Sequence, residues 1–318
     1  MSEARPQAAV DRIAAHVRTV CCGDDTRLRA TWRVLLAWPV LWILTGDVLT
    51  ANLAPLLPAL PGGSPTTGMA VSVLHAAFFL AALLAWARLV DRLPLSSYGV
   101  AASVGWLGRA LLGLVAVLGG MAAWIGLGTV LGDVTVATSL SAPQGPLPAF
   151  LLVMIVALGL HAAIQQVVFF RVILGNAAEG LASRGVDPAR ALLLAVGVAI
   201  PFFVAMHSFP GGLRAVDLAI AGAVFGLVYL HTSDLAVGIG MHFGALYGGG
   251  VVFSSATSAA NGATIFAVEG RMPGLLGTLG QYGFPKLLVA YVLVLGWLTW
   301  QRGVVSFDRD ILSPAAGD

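Results

Sequence analysis

Eight stretches of this chain are apolar almost without interruption, and the breaks between them are short and rich in Pro, Gly, Ser or Arg. A helix needs about 20 apolar residues to cross a hydrocarbon core. Runs of that length fall at 33–58, 67–90, 107–131, 148–180, 189–208, 213–231, 234–254 and 284–301. The pattern predicts an all-α fold, a polytopic membrane bundle of about eight transmembrane helices, with no visible internal repeat. Residues 1–32 then form an N-terminal segment, 33–301 the transmembrane bundle and 302–318 a polar tail. The loop 255–283, rich in Ser, Ala, Gly and Thr, reads as an external excursion rather than a domain. Glycine-rich stretches such as AAWIGLGTVLG predict close helix packing, because small residues let backbones approach in lipid.

Composition narrows the class. The 318 residues are 58% hydrophobic and 10% charged, with a mean hydropathy of +0.90, values that exclude an ordinary soluble domain. The net charge of +2 is too small to argue for nucleic acid as a partner; the bilayer is the expected environment. Residues 1–30 lack the apolar core of a signal peptide, so none is expected. The adjacent Cys21 and Cys22 could be acylated or bind metal, but an unmodified juxtamembrane pair is the plainer reading. Lys286 is the only lysine, so arginines set the orientation. Arg5, Arg12, Arg18, Arg27, Arg29, Arg33, Arg88, Arg92, Arg184, Arg190, Arg302 and Arg309 all fall on the side of the N-terminus. The loops 59–66 and 132–147 carry no Lys or Arg, and Arg271 and Lys286 are a minority on the far side. The positive-inside rule therefore predicts a multi-pass protein of the cell membrane with both termini in the cytoplasm.

Polar side chains at membrane depth are costly and each calls for a partner or a role. They are Asp47, His75, His161, Gln165, Gln166, Arg171, His207, Asp217 and His242. His75 reads as a hydrogen-bonded packing residue, Asp47 as a helix end or bend, and Asp217 as the ion-pair partner of Arg214 three residues earlier. The segment HAAIQQVVFFR, 161–171, is harder to dismiss. His161 and Gln165 share a face, and Gln166 lies about 100° round the helix. Such a helix turns its polar side to the bundle interior or to a wet cavity; hydrogen bonds that only glue the bundle would explain it equally well. Two later helices shift the balance. PFFVAMHSF places Phe203 one turn from His207, and GMHFGALYG carries His242 among small residues. Two imidazoles opposite a polar helix could bind a divalent metal such as zinc or polarise a water, with His161 as a conceivable third ligand. By helical rise, His242 sits about 12 Å into its helix while Gln166 and His207 lie about 24 and 27 Å along theirs. Tilt or an offset helix must close that gap.

With these residues in order, the chain resembles the CPBP family of intramembrane endopeptidases, typified by type II CAAX prenyl proteases and bacteriocin-processing or self-immunity proteins. That family carries Glu-Glu-x-x-x-Arg on one helix, Phe-x-x-x-His on the next and His-x-x-x-Asn or Asp on a later one. Phe203 and His207 keep the second motif, His242 opens the third, FGLVYLHTSDLAVGIGMH resembles the family's approach to it, and Arg171 matches the Arg of the first. The resemblance covers about 148–250. The glutamate positions fall on Gln166 and Val167 by spacing, or on Gln165 and Gln166 by side-chain shape with one extra residue before Arg171; neither alignment supplies a carboxylate. The third motif ends in Leu246 instead of Asn or Asp. Paired Glu-to-Gln changes would also suit a deliberate substitution, a reading that Leu246 does not fit.

The resemblance implies a metal-dependent endopeptidase acting on a membrane-embedded or lipidated peptide. Gln165, Gln166, Arg171, His207 and His242 would stand at the catalytic positions, His207 and His242 at the metal, and Phe203 and Leu246 beside the substrate. A Gln amide has no basic form near neutral pH, so the chemistry is expected to be impaired. The alternative is a pseudoprotease that binds hydrophobic or prenylated peptides, or serves immunity or chaperoning. A transporter is disfavoured, since no inverted repeat or matched pair of broken helices appears.

Overall fold

The computed structural model describes residues 21–22, 27–56, 64–100, 103–141, 146–207, 211–254, 264–270 and 284–312. Arg5, Arg12, Arg18 and Arg271 lie outside them. Eight long helices form the bundle among the described residues: α1 (Ala30–Leu53), α2 (Thr67–Asp91), α3 (Val104–Val130), α4 (Leu147–Ala182), α5 (Pro188–Ala205), α6 (Gly212–Thr232), α7 (Leu235–Val252) and α8 (Phe284–Arg302). Of these, α1 to α7 are long and apolar enough to cross a membrane. The protein is a multi-pass membrane protein, and each helix lies within a few residues of the run that predicts it. Local chemistry sets the starts. The Ser103 hydroxyl accepts from the Trp106 N–H. Asp187, followed by Pro188, accepts from the N–H groups of Ala189 and Arg190, and Asp234 accepts from Ala236; these are side-chain caps for helix donors that have no partner of their own.

Two segments differ from the sequence reading. The loops after α3 and α7 contribute β1 (Val134–Ser141), β2 (Phe253–Ser254) and β3 (Thr264–Gly270), in the order β1-β3-β2. β1 runs antiparallel to β3 with Ala137 opposite Ala267, and β2 runs parallel to it with Phe253 opposite Phe266. Read only as an excursion, 255–283 thus contains a strand. In TIFAVEG and in VTVATS, β-branched residues suit a pleated surface, and outside the helices the backbone still needs partners. The polar tail also packs back onto the bundle. The Asp308 N–H donates to the Leu230 carbonyl at 2.7 Å, the Ser233 hydroxyl to the Asp308 carboxylate at 2.7 Å, and the His231 Nδ1–H to the Ser306 carbonyl at 3.1 Å.

At the end of the bundle that carries Ala30, Asp91 and Ala182, buried charge ties three helices together. Arg33 of α1 is 3% exposed and reaches Glu179 at 2.9 and 3.0 Å, Asn176, and Asp91 at 3.6 Å. Asp91 also accepts from the Trp86 indole at 3.0 Å and the Tyr98 hydroxyl at 2.6 Å. Burial and the neighbouring carboxylate push the Tyr98 hydroxyl above its ordinary value, so it remains a proton donor.

The layout of the core depends most on the position of α7. Its first eight residues, Leu235 to His242, are all buried, so the helix begins inside the bundle. Arg109 of α3 holds its start, with Nε 2.5 Å from the Asp234 carboxylate. Beyond that ion pair the two helices touch backbone to backbone. A Cβ on Gly240 would lie 1.8 Å from the Ala110 carbonyl oxygen, and one on Gly113 2.2 Å from the Val237 oxygen. The close packing expected at AAWIGLGTVLG is absent at Gly126, where a Cβ meets nothing within 4 Å. Gly240→Ala is therefore expected to destabilise the protein by about 1–3 kcal/mol or more, as overpacking does, read as a lowered Tm in detergent. Gly126→Ala should leave Tm unchanged or slightly raised, and equal effects of the two would refute the contact.

Candidate functional site

The site gathers where α4, α5, α6 and α7 meet. On α4 the α-helical hydrogen bonding gives way after Gln166 to π-type turns over Val167–Ile173. Such turns absorb an inserted residue, and they recur at functional sites. They account for the spacing that leaves one residue too many between the Gln165–Gln166 pair and Arg171.

The two amides part company. Gln166, fully buried, places its Nε2 3.2 Å from Nδ1 of His242. Gln165 turns the other way, with Nε2 2.6 Å from Nε2 of His161, whose ring lies edge-on to Trp42 at 5.7 Å. The pair joins either by the amide nitrogen donating to an unprotonated Nδ1 or, with the amide turned over, by a protonated Nδ1 donating to the amide oxygen. Each glutamine is left with a buried Oε1 that meets no partner among the described residues. The Gln166 oxygen presses on Gly238, where a Cβ would sit 2.6 Å away.

Aromatic rings hold the histidines. His242 stacks on Phe225 at 4.9 Å with 22° between the planes and meets Phe203 edge-on at 5.9 Å. Phe203 also packs edge-on to His207 at 5.2 Å. The Nδ1–H of His207 donates to the Phe203 carbonyl at 2.9 Å, satisfying a carbonyl in the last turn of α5 that the ending helix leaves free. His207 is thereby left with a lone pair on Nε2. Phe203, His207, His242 and Leu246 line one cavity of about 140 Å³, together with Arg214, Asp217 and Lys286. The 3.2 Å contact between Gln166 and His242 closes the depth gap expected from helical rise, because α7 starts deep.

The match to known proteins falls on this same region. Residues 148–247 match the family model described as type II CAAX prenyl endopeptidase, Rce1-like. The match coincides with the region, about 148–250, over which the motifs resemble the CPBP family. No curated protein and no solved structure matches the chain.

Within this region, the structure joins the helices of all three motifs through Gln166, Phe203, His207, His242 and Leu246, and sets two predicted residues apart. Gln165 belongs to the His161 side. Arg171 lies beyond the π-type turns, its Nε 2.5 Å from the Ser97 carbonyl and its guanidinium 5.3 Å over the Tyr98 ring; it fastens α4 to the segment after α2. His75 is hydrogen-bonded to Thr45 at 3.3 Å, Asp217 pairs with Arg214 at 3.3 Å, and Asp47 is exposed within π-type turns of α1. The sequence reading passed over Phe225 and Gly238. Gly238 stands one turn before His242 and was legible from that spacing; Phe225 is one more aromatic in an apolar helix and carried no signal.

A catalytic zinc takes three protein ligands and a structural one four. Among the described residues no group of three or more His, Cys, Asp or Glu side chains is placed to hold an ion, so His161 does not complete a three-histidine set with His207 and His242. Leu246, at the position where the resemblance implies Asn or Asp, offers no metal-binding atom. The residues present do not fit a zinc centre. Purified protein is accordingly expected to carry far less than one equivalent of divalent metal by mass spectrometry, unchanged in a His207→Ala, His242→Ala double variant. A stoichiometric metal lost in that variant would overturn this reading.

Proposed function

We propose that this CAAX-protease-like membrane protein turns over peptides poorly and instead holds a hydrophobic or lipidated segment against its core. The observation that carries the reading is the Gln166 amide 3.2 Å from His242, at the place where a carboxylate would be needed. Hydrolysis requires a group that takes a proton from water, and a positioned general base contributes about 10²–10⁴-fold. Gln166 cannot accept that proton, because its amide has no basic form near neutral pH. An amide at 166 thus leaves this position without the base that a carboxylate would supply.

The cavity supports binding over turnover. Its apolar walls include Val117, Met121, Leu218 and Leu246. About 140 Å³ compares with roughly 300–1,000 Å³ for a pocket that encloses a small-molecule ligand. It has room for one side chain, with the remainder of a bound segment lying along the bundle surface. Both termini on the cytoplasmic side, as the arginine distribution favours, complete the picture.

The test uses a fluorogenic farnesylated peptide and the full chain in proteoliposomes. The unaltered protein is expected to bind the peptide without cleavage that depends on His242. Gln166→Glu, alone or with Leu246→Asn, is expected to raise cleavage by about 10²-fold or more over that background. Cleavage by the unaltered protein that His242→Ala abolishes would sink the proposal.

A further inference from the structure

The cavity changes character along its length. His242 and Phe225 lie in the middle of α7 and α6, whereas His207 follows the end of α5, Arg214 is in the first turn of α6 and Lys286 is in the first turn of α8. The polar end of the cavity is therefore at the ends of helices, the depth at which lipid headgroups meet a membrane protein. Arg214 is neutralised by Asp217 at 3.3 Å. Lys286, the single lysine of the chain, lines the same cavity and interacts electrostatically with both Asp217 and Arg214. Counting the described residues that line the cavity, two cations and one carboxylate leave one positive charge beside apolar walls. A cation held in such surroundings is costly unless an anion meets it.

We propose that this end of the cavity binds the phosphodiester headgroup of an anionic phospholipid, with Lys286 and Arg214 as its cationic contacts. A phosphodiester carries a single negative charge, which matches the single uncompensated cation. The same two helices offer apolar surface for acyl chains, since Leu213 and Val216 of α6 and Leu288 and Val292 of α8 are exposed on them. A cavity of about 140 Å³ can admit a phosphate group but not a peptide of several residues. The site is independent of whether Gln166 permits hydrolysis, because lipid retention is read without any turnover.

The full chain in mild detergent would be examined by native mass spectrometry with phosphatidylglycerol, phosphatidylcholine, inorganic phosphate, and a hydrophobic peptide carrying either a free or an amidated C-terminus. One phosphatidylglycerol should be retained in preference to phosphatidylcholine. Lys286→Gln should weaken retention about tenfold, a difference easily resolved on the affinity scale, while Lys286→Arg keeps it. An Arg214→Gln, Asp217→Asn double variant, which removes the ion pair without leaving a buried charge, should also weaken it, and unchanged melting curves would show that each variant is folded. Three results would overturn the proposal: retention unaffected by Lys286→Gln, displacement of the lipid by inorganic phosphate alone, or displacement by the free-carboxylate peptide and not its amide, which would give Lys286 to a peptide terminus instead.

Discussion

The contact between α3 and α7 fixes the height of everything else in the core. Two helices that meet through Gly113 and Gly240, with the Ala110 and Val237 carbonyls where side chains would otherwise stand, have almost no freedom to slide, because any Cβ at the crossing must displace a backbone. The Arg109–Asp234 ion pair sets the same register from the start of α7. As a result α7 begins within the bundle, and His242, only eight residues into the helix, reaches the depth of Gln166 near the middle of α4. Glycine stripes drive helix association in lipid by admitting close van der Waals contact; here the close contact also positions a side chain.

The second constraint is electrostatic. Arg33, Asp91 and Asn176 are each at most 5% exposed, and removing one member of such a buried pair typically costs about 3–5 kcal/mol, although the intact pair adds little net stability over apolar packing. Its value is registration. Asp91, which also accepts from Trp86 of its own helix, joins α2 to Tyr98 and to Asn176 of α4, Arg33 adds α1, and Arg171 secures α4 to the segment after α2. About 36 residues long, α4 would span roughly 54 Å at 1.5 Å per residue, well beyond a hydrocarbon core of about 30 Å. The surplus length is what lets one helix carry Gln166 in the core and Asn176 and Glu179 in the charged layer.

Much of this was legible in the sequence, for identifiable reasons. Apolar runs of membrane length report directly on helices, so α1 to α8 lie where the pattern puts them. The ordered motifs on α4, α5 and α7 led to the same region and the same type of family model that the comparison matches, because their order and most of their residue types are kept. What stayed hidden depends on geometry with no local signature. The shift to π-type turns after Gln166 is invisible in VVFFRVI. The separation of Gln165 from Gln166 follows from their placement about 100° apart, but which one faces His242 depends on α7. The tail after Arg302 reads as polar and gives no sign that Asp308 and Ser306 would fasten the α6–α7 turn, and the short strands beside the bundle were outweighed by the small polar residues around them.

An amide where the resemblance implies a carboxylate has larger consequences here than its size suggests, because Gln166 is fully buried and tightly walled. In water, a misplaced amide dipole would be compensated by solvent. Between Phe225, Phe203 and Gly238 there is no room for such compensation, and the Gln166 Oε1 is left without a partner among the described residues. An unsatisfied buried acceptor costs about 1–3 kcal/mol, a penalty that the core carries twice, at Gln165 and at Gln166. Gly238 brings the α7 backbone against that oxygen rather than offering it a donor. The walls therefore hold an amide, rather than a carboxylate, beside the His242 ring, and they hold it with one of its two polar atoms unmatched.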